Sequence, residues 1–190
     1  PQELPLVDLS RFTTVIVGPR AYQASAELRA ANRRLLDYVK DGGTMLVQYG
    51  QQEMARPGLM PYPVSLARGA QRVTLEDAPV TVRDPKSSLL TRPNRIGDRD
   101  WADWVQERSL YMPSVIDPAY ATPLEMHDPG EPENNGAILS ARYGKGTYVY
   151  TTLSLFRQFP AGVPGSARLF VNLLSAGRAP VAKPTPRVQP

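Results

Sequence analysis

Three groups of residues in this chain have types and spacings that could do chemistry. Gln48 and Tyr49 close the apolar run TMLVQY, and Arg20 and Tyr22 lie just beyond the earlier run TTVIVG. In α/β sheets, ligands bind in the crevice outside the carboxyl ends of the strands, so these four residues are candidate pocket residues. Gln106, Glu107 and Arg108, with Asn94 and Arg95, stand among Trp101, Trp104 and Tyr111. Aromatic faces stack on pyranose rings and amide–carboxylate pairs read hydroxyls, which is the chemistry of a sugar cleft. The same Trp pair at helical spacing also serves plain core packing. Glu125, His127 and Asp128 form the third group. Strand alternation would put Glu125 and His127 on one face, with Glu107 approaching from a helix. A stable zinc site needs three or four ligands at about 2.0–2.3 Å, and this set falls short. No metal is assigned to the chain, and a hydrogen-bonded histidine at a strand end is expected. Arg157 and Gln158 follow the last apolar strand run and could face the same edge as Gln48.

Bulk composition excludes several other chemistries. The 190 residues contain no cysteine, which removes disulfides, thiolate metal sites and a cysteine nucleophile. Of the net charge of +4, Arg178, Lys183 and Arg187 in the last 13 residues carry +3, leaving +1 on the rest. A body that balanced lacks the basic face that nucleic-acid backbones require. No apolar run reaches the roughly 18 residues of a membrane span. The opening PQELPLVDLS shows no basic-plus-apolar signal and reads as a join into a longer polypeptide.

The elements that must position these residues follow from periodicity. Residues 13–18 are β-branched and apolar on both faces, as in a buried strand of a parallel sheet. Ser25 is placed as a helix N-cap, with Glu27 in the first turn. Leu28, Ala31, Leu35 and Val39 then form an apolar stripe opposite Arg29, Arg33, Asp37 and Lys40. Gly42-Gly43 ends that helix and 44–49 is a second buried strand, completing a βαβ unit. Residues 50–71 read as a long loop over the carboxyl edge, and 72–75, 79–84, 110–112 and 122–126 as short strands. Asp100 opens a short helix carrying Trp101, Trp104 and Val105 on one face. AILSARY and TYVYTTL flank Gly144-Lys145-Gly146, a turn too short for a phosphate loop, and form an antiparallel hairpin. A last helix starts near Pro164, buries Leu169, Phe170, Leu173 and Leu174, and stops at Gly177. This predicts one α/β domain over 1–177 and a Pro-rich, basic, disordered tail over 178–190.

Five segments together resemble a known arrangement: DLSRFTTVIVGPRAY (8–22), NRRLLDYVKDGGTMLVQY (32–49), RPNRIGDRDWADWVQERSLY (92–111), LEMHDPGE (124–131) and YGKGTYVYTTLSLFRQFPAGVPGSARLFVNLL (143–174). They are similar to the C-terminal class I glutamine-amidotransferase-like (ThuA-like) domain of bacterial PIG-L (LmbE-like) N-deacetylases, with 143–174 the most specific part. The resemblance implies a flavodoxin-like, mostly parallel sheet with an antiparallel C-terminal hairpin and helices on both faces. It also implies that a strand and helix before Asp8 are missing, leaving one sheet position unfilled. Amidotransferases of this fold carry a nucleophilic cysteine in the turn after the GG-led strand, a place that falls here at Tyr49. A phenol is a poor nucleophile at neutral pH and too bulky for that turn. Their catalytic histidine follows the hairpin strand, where this chain reads Leu153-Ser154-Leu155. The zinc-binding His-Pro-Asp-Asp motif of PIG-L enzymes is absent, so zinc is expected in an upstream deacetylase module.

The resemblance thus implies a non-catalytic accessory domain that positions the deacetylase or holds a glycan, in an exported, periplasmic or secreted protein. Two alternatives remain open. One is a ThuA-like enzyme acting on sugars through Gln48, Glu107, Glu125 and His127. The other is an interaction or dimerisation domain with an exposed apolar patch at Met54, Leu59, Met60 and Tyr62.

Overall fold

Residues 2–178 are described by a computed structural model. The expectation for the Pro-rich tail beyond Arg178 lies outside the described residues. In chain order the main elements are strand β1 (Thr14–Val17), helices α1 (Ala21–Ala24) and α2 (Ala26–Lys40), strands β2 (Thr44–Gln48), β3 (Val64–Ser65) and β4 (Val80–Val82), and helix α3 (Ser88–Thr91). Strands β5 (Val115–Ile116), β6 (Leu124–Met126), β7 (Ile138–Tyr143) and β8 (Gly146–Thr151) follow, and then helices α4 (Leu155–Gln158) and α5 (Pro164–Leu174).

The main sheet has the order β1-β2-β8-β7, with β1, β2 and β8 parallel and β7 antiparallel to β8. Period-two alternation along its strands divides the core into two layers. Met45 and Val47 of β2, Tyr148 and Tyr150 of β8 and Leu139 of β7 pack with Leu28, Leu35 and Val39 of α2. Leu46, Val149 and Ile138 point the other way, onto Leu169 and Leu173 of α5 and onto Trp101 and Trp104. The chain is therefore an α/β fold with a parallel-dominated sheet and helices on both faces. Among the described residues, no helix is long and apolar enough to cross a membrane.

The local readings of α2 and of the hairpin agree with the structure. Ser25 caps α2 by accepting from the Leu28 amide at 3.0 Å. At the other end the hairpin turn docks on the helix terminus, where the Lys145 amide donates to the Lys40 carbonyl at 2.8 Å. That contact satisfies one of the carbonyls a helix end leaves free. It also explains both turn glycines. Gly144 has φ +60°, and a Cβ on Gly146 would lie 2.0 Å from the Val39 carbonyl oxygen.

Other expectations need correction. β1 is not buried on both faces, because it is an edge strand with only β2 beside it, and Ile16 is 47% exposed. The helix at Asp100 is a 3-10 turn spanning Asp98–Trp101 that ends before Trp104, with Asp103 at φ 60° between. The loop over 50–71 contains a 3-10 turn (Gln52–Ala55) and β3, which pairs with β5. The expected strand over 72–75 is reduced to a bridge between Val73 and Ser109, while β4 and β6 form a separate antiparallel pair. Met54, Leu59 and Met60 are buried in the α2-side core and Tyr62 is half-buried against it, so the expected exposed apolar patch is not formed.

Two buried polar atoms lack a hydrogen-bond partner among the described residues, Arg108 Nε and the Tyr148 hydroxyl. The Tyr148 ring is fully buried. A buried hydroxyl without a partner costs about 1–3 kcal/mol. Tyr148→Phe is therefore expected to raise unfolding stability by about 1 kcal/mol in urea titration. A loss of that size instead would mean that the hydroxyl is bonded.

Candidate functional site

The carboxyl ends of β1, β2 and β8 meet at one edge, and the polar residues beyond them are tied together by backbone bonds. Arg20 begins α1 in a left-handed conformation (φ 56°), and its amide donates to the Tyr49 carbonyl at 2.7 Å. Tyr49 is 7% exposed and stacks on Tyr111 (centroids 6.4 Å apart) and on Phe156 (5.4 Å). Behind it the Gly50 amide donates to the Tyr150 hydroxyl at 3.3 Å. Tyr111 and Phe156 are themselves half-buried, so the three rings make an aromatic strip along the edge. The Arg72 guanidinium lies 5.6 Å from the Tyr111 ring centre and that of Arg157 lies 5.0 Å from the Phe156 ring centre, within cation–π range.

Glu107 joins those two arginines. Its Oε2 accepts from Arg72 Nη2 at 2.9 Å, while its Oε1 accepts from Arg157 Nε at 3.0 Å and lies 2.8 Å from Arg157 Nη2. Arg157 also donates to the Gln106 side-chain oxygen. The backbone that presents Glu107 is laid against the chain leaving β8. Leu110 donates to the Thr152 carbonyl, the Ser154 amide to the Arg108 carbonyl, and the Ser154 hydroxyl to the Glu107 carbonyl. Gln158, fully buried, accepts from the Val105 amide (2.8 Å) and donates to the Val105 carbonyl (3.1 Å). Arg108 is 4% exposed behind this segment and donates to the Trp101 carbonyl. Burial lowers its pKa and Asp77 opposes that shift.

The structure thus brings Arg20, Tyr49, Gln106, Glu107 and Arg157 to one edge. Other candidates go elsewhere. Tyr22 points into the core, 1% exposed, and donates to Asn32, because the turn of α1 rotates it inward; burial raises its pKa. Gln48 is buried at the end of β2. Gln158 is a structural clamp, not an edge residue. Asn94 is held by α5: its amide donates to Asn172 and its side chain to the Arg168 carbonyl. Arg95 likewise gives its carbonyl to Arg168 and does not join Gln106 and Glu107. Trp101 and Trp104 are 7% and 3% exposed, too buried to stack on a sugar.

Glu125 lies on β6 with Arg83 at 3.9 Å, away from the Glu107 cluster, and His127 Nδ1 is 3.0 Å from the Asp128 carbonyl oxygen. The Asp128 carboxylate accepts from the Thr74 amide and hydroxyl and from the Leu75 amide. Burial pushes its pKa up, but those bonds outweigh it and hold the group below its ordinary value. Among the described residues, no three His, Asp or Glu side chains are grouped to hold a metal ion. These residues do not make a zinc donor set.

Two edge residues are missing from the sequence reading. Phe156 immediately precedes Arg157 and could have been singled out on that adjacency. For Arg72 there is no such signal, since its partner Glu107 is 35 positions away.

The chain is similar in structure to the Salmonella typhimurium cytoplasmic protein STM3548, at 17% identity, covering 92% of this chain and 74% of that one with a TM-score of 0.59. This likeness shows a shared α/β fold. Lower-scoring matches include the cytoplasmic protein STM1381 from Salmonella typhimurium LT2, at 13% identity, covering 92% of this chain and 76% of that one (TM-score 0.48). Another is an exo-beta-1,4-mannosidase from Opitutaceae bacterium strain TAV5, at 15% identity (TM-score 0.49). That match covers 90% of this chain but 27% of the mannosidase. No protein-family model and no curated protein sequence matches the chain.

Proposed function

We propose that this chain is a non-catalytic accessory domain that holds a saccharide at the carboxyl edge of its sheet. The observation that carries the reading is the Tyr111–Tyr49–Phe156 strip with Glu107 fastened between Arg72 and Arg157. Aromatic rings offer a face to the C–H side of a sugar ring, and the amides and guanidinium groups around them offer donors to hydroxyls. General acid–base work needs a carboxylate within hydrogen-bond reach of substrate, whereas both Glu107 oxygens are already taken by protein donors. Glu125 and His127 are engaged with other partners, which weakens the alternative of a sugar-active enzyme. The interior placement of Met54, Leu59 and Met60 removes the patch that motivated a dimerisation domain.

The finer fold and family assignments belong to the same proposal. Three parallel strands with helices on both faces, and β1 standing at the edge of the sheet, support a flavodoxin-like, amidotransferase-like sheet. The sequence resemblance supports attachment to a zinc-dependent PIG-L N-deacetylase module, with export as part of that reading.

The test is saccharide binding by this chain, together with deacetylase assays of the parent protein with and without it. Tyr111→Ala is expected to weaken oligosaccharide binding by about twofold to tenfold, since stacking contributes on the order of 0.5–1.5 kcal/mol beyond area burial. Its circular dichroism should be unchanged. Sugar turnover by the isolated chain that Glu107→Gln abolishes would reverse the assignment.

A further inference from the structure

The polar groups of the aromatic edge differ in what they leave available. Glu107 faces inward, its side chain 10% exposed between the two arginines, and Arg157 uses Nε, Nη1 and Nη2 on Glu107 and Gln106. Glu53 is also buried and accepts from the Gln51 amide. Arg72 is different. Only Nη2 is engaged with Glu107, and the side chain is 44% exposed. Its Nε and Nη1 make no hydrogen bond among the described residues, and its guanidinium is held over Tyr111. Arg20, whose amide is bonded to the Tyr49 carbonyl, gives only Nε to the neutral Gln23. The edge therefore offers solvent guanidinium donors beside an aromatic face, while Glu53 and Glu107 are turned inward and the exposed Glu76 is tied to the Gln106 amide at 2.8 Å.

Backbone strain falls on the same place. Non-glycine residues with positive φ are four among those described, and Arg20, Gln106 and Tyr111 all stand at this edge. Such conformations persist where the surroundings over-determine them and cluster at ligand clamps.

From these observations, and resting on the saccharide reading above, we infer that the ligand is an acidic saccharide. A uronic acid residue stacks on Tyr111 with its carboxylate on the free edge of Arg72. Guanidinium and carboxylate match as planar, bidentate partners, whereas an ammonium at the same place is only a point charge. Arg72 is then the specificity residue, Arg20 the second cation along the strip, and Glu107 the positioning residue that fixes the Arg72 guanidinium.

Isothermal titration of the chain with a tetragalacturonate, and with a neutral β-galactan tetramer of equal length, tests this. The acidic tetramer is expected to bind at least about tenfold more tightly, by an advantage that shrinks as salt is raised. Arg72→Gln should erase that advantage, weakening the acidic tetramer by a much larger factor than the neutral one. Arg72→Lys should recover only part of it. Arg20→Gln, which does not touch Glu107, should reduce it independently if Arg72→Gln disturbs folding. Equal affinity for the two tetramers overturns the acidic preference and leaves the saccharide reading standing. Binding of neither overturns both. A sulfated tetramer bound as tightly as the uronate, with Arg72→Lys indistinguishable from the parent, overturns carboxylate recognition in favour of unspecific charge.

Discussion

Above about pH 10 the domain is expected to unfold over a narrow pH interval, because its core holds tyrosines that must lose protons on exposure. Tyr22, Tyr120, Tyr148 and Tyr150 are at most 6% exposed, and burial raises the pKa of each. A phenol whose folded pKa lies above its unfolded value contributes stability that is fully present below the unfolded pKa. That contribution is lost as pH rises toward the folded pKa. Between the two values the unfolded chain has released four protons that the folded chain still binds, so stability falls by about 5 kcal/mol per pH unit. A domain of ordinary stability has about 5–15 kcal/mol to lose, so one or two pH units suffice. Tyrosinate absorbance and far-UV circular dichroism should therefore change together. Tyr148→Phe should reduce the slope by one proton's share. Titration of all nine tyrosines near the ordinary phenol value, with the dichroism intact, would refute the coupling.

Removing the Glu107 carboxylate is the other change with a large expected effect. Glu107→Ala leaves the Arg72 and Arg157 guanidinium groups without their anion beside a backbone held at positive φ at Gln106 and Tyr111. Breaking a fully buried pair costs about 3–5 kcal/mol. Here the arginine side chains are 44% and 33% exposed and water compensates in part, so about 2 kcal/mol is expected. Urea unfolding measures it, and Glu107→Gln should recover part of the loss by keeping the volume and one acceptor. Saccharide binding should fall with both variants, because Arg72 loses the contact that holds it over Tyr111. A Glu107→Ala chain as stable as the parent would show that the two ion pairs contribute nothing to the fold.

How much of this was legible in the sequence depended on the range of the interactions involved. α2 could be read because its cap, apolar stripe and glycine stop lie within 20 residues of one another. The β7–β8 hairpin could be read because its turn joins two β runs directly. The α/β class follows from those pieces, since a strand, an amphipathic helix and a second apolar strand in succession favour a parallel pair. The absence of a cysteine was also plain, and with it the loss of thiol chemistry.

Which side of the sheet edge each polar residue faces was not legible. Tyr22 and Gln158 looked like edge residues and are interior, because α1 turns Tyr22 into the core and Gln158 is clamped by Val105 and Ser154. Arg72 gave no signal, yet it meets Glu107 across 35 positions, and Arg157 meets the same carboxylate across 50. Local spacing sets backbone conformation through hydrogen bonds and sterics a few residues apart. The direction of a loop side chain is set by whichever distant segments the packed core brings alongside it. The amino-acid order alone therefore determined the α/β class, the β1–α2–β2 unit and the β7–β8 hairpin, whereas tertiary packing decided the strand order and which polar residues share the edge.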